Sequence, residues 1–262
     1  FLLLRIMSAD PSSFSLITVE LKEGGIFVIS MKNGKANALS IEHLGELKRA
    51  MDYAAQSDDV KGILLRSSNE RIYCAGLDLV QITQFLSADD YVDQFRNFIF
   101  NCMTPSCETM LRCPKPVATA VNGHCLAGGL VLALCSDYLC FGRNDKAKVG
   151  LTELAIPVPF PPLPVHVVRN RVDSYTARQM IFDAIVRTPS EMFDLGVGDA
   201  ISDDAEANAL EWLSKKITNG VVPFGITKKL WWDPVLQQAP SDKEQREWAI
   251  AAANAIRPKS SL

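Results

Sequence analysis

Apolar and β-branched positions in "LITVELKEGGIFVISM" flank Gly24 and Gly25, a pattern that predicts two strands joined by a tight hairpin. The period then changes. In "NGKANALSIEHLGELKRAMDYAAQ", Leu44, Leu47 and Met51 recur at helical spacing behind Ser40, a residue type that caps helices. "VKGILLRSS" is apolar without alternation and predicts a third strand, buried on both faces, whereas "NERIYCAGLDL" reads as a turn-like insertion. From Ala88 onward Tyr91, Phe95, Phe98, Ile99 and Cys102 return to helical spacing. Pro105 is placed to kink or restart that helix, and Pro114 and Pro116 end it. "VATAVNG" predicts another strand, and "LAGGLVLALCSDYLCF" divides into a buried helix near the glycines and a short strand after Asp137.

The order β-β-α-β-α-β-α-β predicts an α/β fold with covered sheets. Past Val165 the pattern is mainly helical: Tyr175–Phe182, Pro189–Leu195, Asp204–Ile217, Phe224–Val235 and Asp242–Ile256, with one short strand at Val197–Ile201. The expected organisation is a core over residues 12–200 and a helical region over 201–262, with no internal repeat.

Composition narrows the class. A chain of 262 residues, 48% hydrophobic and 22% charged, has enough apolar material for a sizeable core. The formal charge of -3 and scattered basic residues argue against nucleic acid as a partner. Seven cysteines lie mostly in apolar runs and fit a reducing compartment, with a cytoplasmic location expected. Neither they nor His43, His124 and His166 show metal-ligand spacing, so no metal is expected. "FLLLRIM", ahead of Met7, is too short to span a bilayer, and no membrane association is expected. The terminal "SSL" comes near a peroxisomal tripeptide but has Ser261 where a basic residue belongs, which leaves the peroxisome open.

Candidate chemistry sits in three places. Glycine follows a strand in "YCAGLDL" and in "AVNGHCLAGGLVLA", where it permits tight turns and lets backbone amides approach an anion. Packing explains such glycines equally well, and neither segment is a phosphate loop or a dinucleotide fingerprint. In "GLTELAIPVPFPPLP", Glu153 is the only charged residue, and the last eight residues hold five prolines, a run poorly suited to helix or strand. Glu153 is either an exposed surface acid or a base. The second role requires an apolar pocket that raises its pKa, and Leu151, Leu154, Ile156, Val158 and Phe160 are neighbours of the right kind.

"NGKANALS", "YCAGLDL", "KPVATAVNGHCLAGGLVLALCSDY" and "KVGLTELAIPV", in that order, resemble the crotonase superfamily of acyl-CoA enzymes across most of Val19–Val222. The resemblance implies a spiral of ββα units with a helical C-terminal region, assembled as a homotrimer or a dimer of trimers. It also implies an acyl-CoA substrate, no separate cofactor, and an enolate held by two backbone amides, here those of Leu77 and Gly128. Lys35, Ala36 and Asn37 would meet the adenine through main-chain groups, and Ala75 and Leu77 would line the pantetheine path. Lys32 and Lys228 are candidate phosphate contacts, although either alone reads as a solvated surface charge.

The family's hydratases carry two glutamates. At the position of the first this sequence has Val131; the second is Glu153. Two carboxylates position a water for addition, while one is sufficient to move a proton between two carbons. The pattern is therefore most similar to the single-glutamate Δ3,Δ2-enoyl-CoA isomerases, and shifting a 3-enoyl-CoA to the 2-enoyl isomer is the expected reaction. A hydratase, an acyl-CoA hydrolase and a non-catalytic acyl-CoA-binding homologue are the alternatives. His124 is read as structural, Asp78 as a brace for the turn that precedes it, and Asp137 as structural.

Overall fold

The computed structural model describes residues 14–156 and 158–257. The lead with Met7 and Pro11, Pro157 and the terminal tripeptide lie outside them, so the expectations placed there are not addressed.

The hairpin forms as expected: β1 (Ile17–Lys22) and β2 (Ile26–Met31) pair antiparallel, and Gly24 and Gly25 turn the chain at φ of 82° and 81°. Helix α1 (Ile41–Gln56) starts where Ser40 accepts a hydrogen bond from the His43 amide, and it buries Leu44, Leu47 and Met51. Strand β3 (Gly62–Ser67) follows, then β4 (Ile72–Cys74) inside the segment expected to be only a turn. Asp78 caps α2 (Leu79–Leu86), accepting from the Val80 and Gln81 amides. Helix α3 (Tyr91–Arg96) runs through a π-helical turn, Asn97–Met103, into α4 (Thr104–Arg112). Pro105 has no N–H to offer, and the chain widens just before it, with the Thr104 amide donating to the Ile99 carbonyl five residues back.

Strands β5 (Val117–Val121) and β6 (His124–Leu126), helix α5 (Gly128–Leu134), and strands β7 (Tyr138–Gly142) and β8 (Val149–Gly150) complete the repeating part. A 3-10 turn at Glu153–Ala155 leads to α6 (Pro162–Arg171). The expectation that the proline run resists helix is corrected at its end. Pro161 caps α6, and Pro162 and Pro164 occupy its first turn, where amides lack intrahelical acceptors and proline costs little. There follow α7 (Ser174–Phe182), β9 (Val186–Arg187), α8 (Pro189–Asp194), β10 (Ala200–Ser202), α9 (Ala205–Thr218), α10 (Val221–Leu236) and α11 (Asp242–Ile256).

Two sheets organise these elements. The larger has order β1-β2-β3-β5-β7-β10 and is parallel apart from the opening hairpin; the smaller has order β4-β6-β8-β9, with β4, β6 and β8 parallel. The pairs β3–β4, β5–β6 and β7–β8 each place one strand in the large sheet and the next in the small one, followed by helix or 3-10 turn. This is the ββα spiral. The main core packs Ile29, Leu65, Val121 and Phe141 against helices, while Val28, Leu64, Ala118 and Cys140 point to the opposite face, which Ala205, Ala209 and Leu213 of α9 cover. Strand β3 is thus buried on both faces, as its unbroken apolar run requires. Residue 200, the expected edge of the core, falls within β10, while α10 and α11 lie against α4 and α3.

Candidate active site

Three adjacent parallel strands of the small sheet end along one edge, and each candidate group lies just past one of those ends. Leu77 is three residues beyond β4, Gly128 two beyond β6 and Glu153 three beyond β8. Neighbouring strands lie about 4.8 Å apart, so this topology gathers residues that are far apart in sequence. The carboxyl edge of parallel strands is where open α/β sheets present their ligand sites.

Backbone pairing decides which way the amides face. The Leu39 amide donates to the Gly76 carbonyl at 2.8 Å and the Asp78 amide to the Leu39 carbonyl at 3.1 Å, forming a parallel bridge between Leu39 and Leu77. In such a bridge the central residue turns its own N–H away from the partner strand. The Leu77 amide is therefore directed off the Ala36–Leu39 segment and has no protein acceptor among the described residues.

The Gly128 amide likewise lacks a protein acceptor among the described residues, being the first of α5. Ala127 aims it. This alanine adopts φ 49° and ψ -131°, a sparsely populated conformation for a residue with a Cβ. It is held there because its N–H donates to the Gly150 carbonyl at 2.9 Å and its carbonyl accepts from Leu130 and Val131. Strain of this kind has no signature in sequence; only the adjacent glycine pair hinted at an unusual turn. The two turns touch: a Cβ on Gly76, at φ 98°, would lie 2.8 Å from the Ala127 Cβ and 3.4 Å from the Gly128 nitrogen.

Glu153 opens the 3-10 turn. The residue is half-buried, but its Oε2 is fully covered and has no hydrogen-bond partner among the described residues. Burial pushes its carboxyl up to about 7, against which the backbone amides of Glu153 and Thr152 act in the lowering direction. No charged neighbour contributes to that shift. A carboxyl whose acidity is shifted toward neutral by burial has the property that a general base at neutral pH requires. Val131 is buried in α5 among core residues and brings no second carboxylate.

The remaining assignments fare unequally. Lys35 and Ala75 are exposed and Ala36 is half-buried, with the Ala75 amide bonded to the Ala36 carbonyl at 3.0 Å. Asn37 is a correction. It is fully buried; its amide donates to Asn33, its carbonyl accepts from Cys74 Sγ, and its side chain donates to Ser67 Oγ and the Tyr73 carbonyl. It braces the turn from inside because its main chain is already used. Lys228 is also corrected: its side chain is 4% exposed and paired with Asp137 at 2.7 Å, at the far end of α5 from Gly128. Lys32 stays exposed. Asp137 also accepts from the Val117 amide, and His124 Nδ1 accepts from the Lys148 amide, so both histidine and aspartate hold strands together.

Hollows of about 310 Å³ beside Trp212, Lys228 and Trp231 and about 360 Å³ beside Arg66 and Arg143 lie away from Glu153. The covered carboxylate and the Leu77 and Gly128 amides, without protein acceptors among the described residues, lie outside both hollows.

The sequence profile of the enoyl-CoA hydratase/isomerase family matches residues 21–232. The chain is 25% identical over 226 residues to the mitochondrial enoyl-CoA delta isomerase 1 of Mus musculus, covering 83% of this chain and 75% of that protein. It is 23% identical over 218 residues to the peroxisomal enoyl-CoA delta isomerase 2 of Arabidopsis thaliana, covering 80% and 90%. The human mitochondrial delta3-delta2-enoyl-CoA isomerase structure superposes with a TM-score of 0.83 over 93% of both chains at 20% identity, a likeness of fold. With a profile match across most of its length and the ββα spiral to go with it, the chain belongs to the enoyl-CoA hydratase/isomerase family.

Proposed function

We propose that the protein shifts the double bond of a 3-enoyl-CoA thioester to give the 2-enoyl isomer, with Glu153 as the single proton carrier. The Glu153 carboxylate takes a proton from the carbon alpha to the thioester carbonyl. The electron pair moves into an enolate, whose oxygen accepts from the Leu77 and Gly128 amides. The same carboxyl then returns the proton to the gamma carbon, and the double bond settles in conjugation with the carbonyl. Atoms and charge balance, and no cofactor is consumed.

The observation that carries this reading is the covered, unpartnered Glu153 Oε2 in a family site whose other acid position holds Val131. Main-chain donors already aimed where charge develops stabilise an enolate without reorganising, and losing one such donor typically costs ~10²–10³ in rate. The naming of the mouse and Arabidopsis relatives as delta isomerases supports the same choice. By the family resemblance, Lys35, Ala36 and Ala75 would flank the CoA moiety.

Glu153→Gln keeps the shape and removes the base. Incubating it with a 3-enoyl-CoA while following the absorbance of the conjugated thioester is expected to show loss of turnover with acyl-CoA binding retained. Undiminished turnover rejects the assignment. Water addition to crotonyl-CoA, assayed alongside, is expected to be negligible in the wild type.

A further inference from the structure

We infer that Trp248, on α11 and 95 residues from Glu153 in sequence, is a positioning residue for that carboxyl group. The inference rests on the role of Glu153 proposed above only in what it predicts for turnover.

Among the described residues, the segment after Glu153 makes few backbone hydrogen bonds, although the Phe160 side chain packs on the core. Pro159 and Pro161 have no N–H, and the Val158 amide folds back on the Glu153 carbonyl at 2.9 Å. What fixes the rest is external: Trp248 Nε1 donates to the Phe160 carbonyl at 3.1 Å. The same indole stacks on Phe95 at 5.8 Å and 9° and meets Phe100 edge-on at 5.4 Å and 90°. One side chain therefore ties the stretch that follows the acid to the helical wall formed by α3 and the π-helical turn.

Helix α11 is itself fastened along that wall. Arg96 bonds Asp242 and Gln245, Arg246 pairs with Asp93, Tyr91 bonds Asn254, and Arg257 lies over the Tyr91 ring at 4.3 Å. Exposed ion pairs of this kind contribute little singly, so the partly buried indole is the specific link. On this inference, the cover over Glu153 Oε2 is kept by the segment staying down. Without the indole N–H the segment is free to lift, water reaches the carboxylate, and its ordinary acidity returns.

Trp248→Phe tests this because it keeps an aromatic ring for the stack and removes the indole donor. The carboxyl of Glu153 is titrated directly by infrared difference spectroscopy against Glu153→Gln, in the wild type and in the variant. On α7, the helix packed on the Glu153 turn, the charged and titratable groups are Asp173, Tyr175, Arg178 and Asp183, all exposed. The Glu153 midpoint is expected to move down from near 7 toward the usual carboxylate range. With a 3-enoyl-CoA, kcat is expected to fall about tenfold, KM to change little, and the acidic limb of the rate profile to move with the titration.

An unchanged Glu153 midpoint in Trp248→Phe overturns the proposal. If that variant does not fold, Trp248→Leu, which also lacks a donor, is titrated in its place under the same criterion. Should Glu153→Gln prove active, the isomerase reading fails, while the direct titration still decides the role of Trp248.

Discussion

Glu153 is the residue on which chemistry and stability meet. In the folded protein burial pushes its carboxyl up to about 7, whereas an unfolded glutamate releases its proton near the ordinary value of 4.5. The folded state therefore binds more protons between those values, and stability falls as pH rises through that window. Glu153→Gln cannot ionise, so its melting temperature relative to the wild type is expected to rise between pH 5 and pH 8. A constant difference would put the carboxylate in water. On the proposed mechanism turnover runs the other way, since a base must be ionised: kcat is expected to climb with pH through a midpoint near 7. The acid itself was legible from "GLTEL", but its pKa was not, because burial needs atoms from elements far away in sequence. Asn37 and Lys228 make the same point in reverse. Each is a ligand contact suggested by the family resemblance and is spent inside the fold, Asn37 on Ser67 and Tyr73, Lys228 on Asp137.

At the scale of elements, the hairpin, the long helices and the strands of the large sheet carry their period in the sequence. Strands β4, β6, β8 and β9 do not, being only two or three residues long, too short for any alternation to register. Those unseen strands include the three that place Leu77, Gly128 and Glu153. Their spacing depends on Gly129, where a Cβ would come 2.7 Å from the Cys74 Cβ and 2.8 Å from its carbonyl oxygen and Sγ. Gly129→Ala must push α5 off β4 and swing the neighbouring amide out of line. Denaturant unfolding is expected to show a loss of about 1–3 kcal/mol. Turnover should fall by more than that instability explains, and a variant as active as the wild type would refute the close packing described here.

Across the whole molecule, α10 packs on α4, α6 and α9 and leaves a stripe uncovered. Val222, Ile226 and Leu230, four residues apart, and the adjoining Trp231 are each more than half exposed. Exposed apolar residues in a row on one helix, uncovered by the described residues, are a candidate association face. We propose that it contributes to the trimer, or dimer of trimers, that the family resemblance implies. The double substitution Ile226→Glu with Leu230→Glu is expected to reduce the assembly measured by light scattering while leaving the circular dichroism spectrum intact. An assembly of undiminished mass would move the interface elsewhere.

The sequence by itself determined the class of fold, the order of its main elements, the family, and the chemical identity of the candidate base. Those depend on residue type and on periods of two and 3.6, which are local and survive in a one-dimensional chain. The tertiary structure alone decided that Ala127 is strained, that the Leu77 and Gly128 amides have no protein acceptor among the described residues, that Glu153 Oε2 is covered and that Trp248 bonds the Phe160 carbonyl. Each of these is a relation between segments tens of residues apart, and direction, burial and dielectric exist only once those segments are packed together.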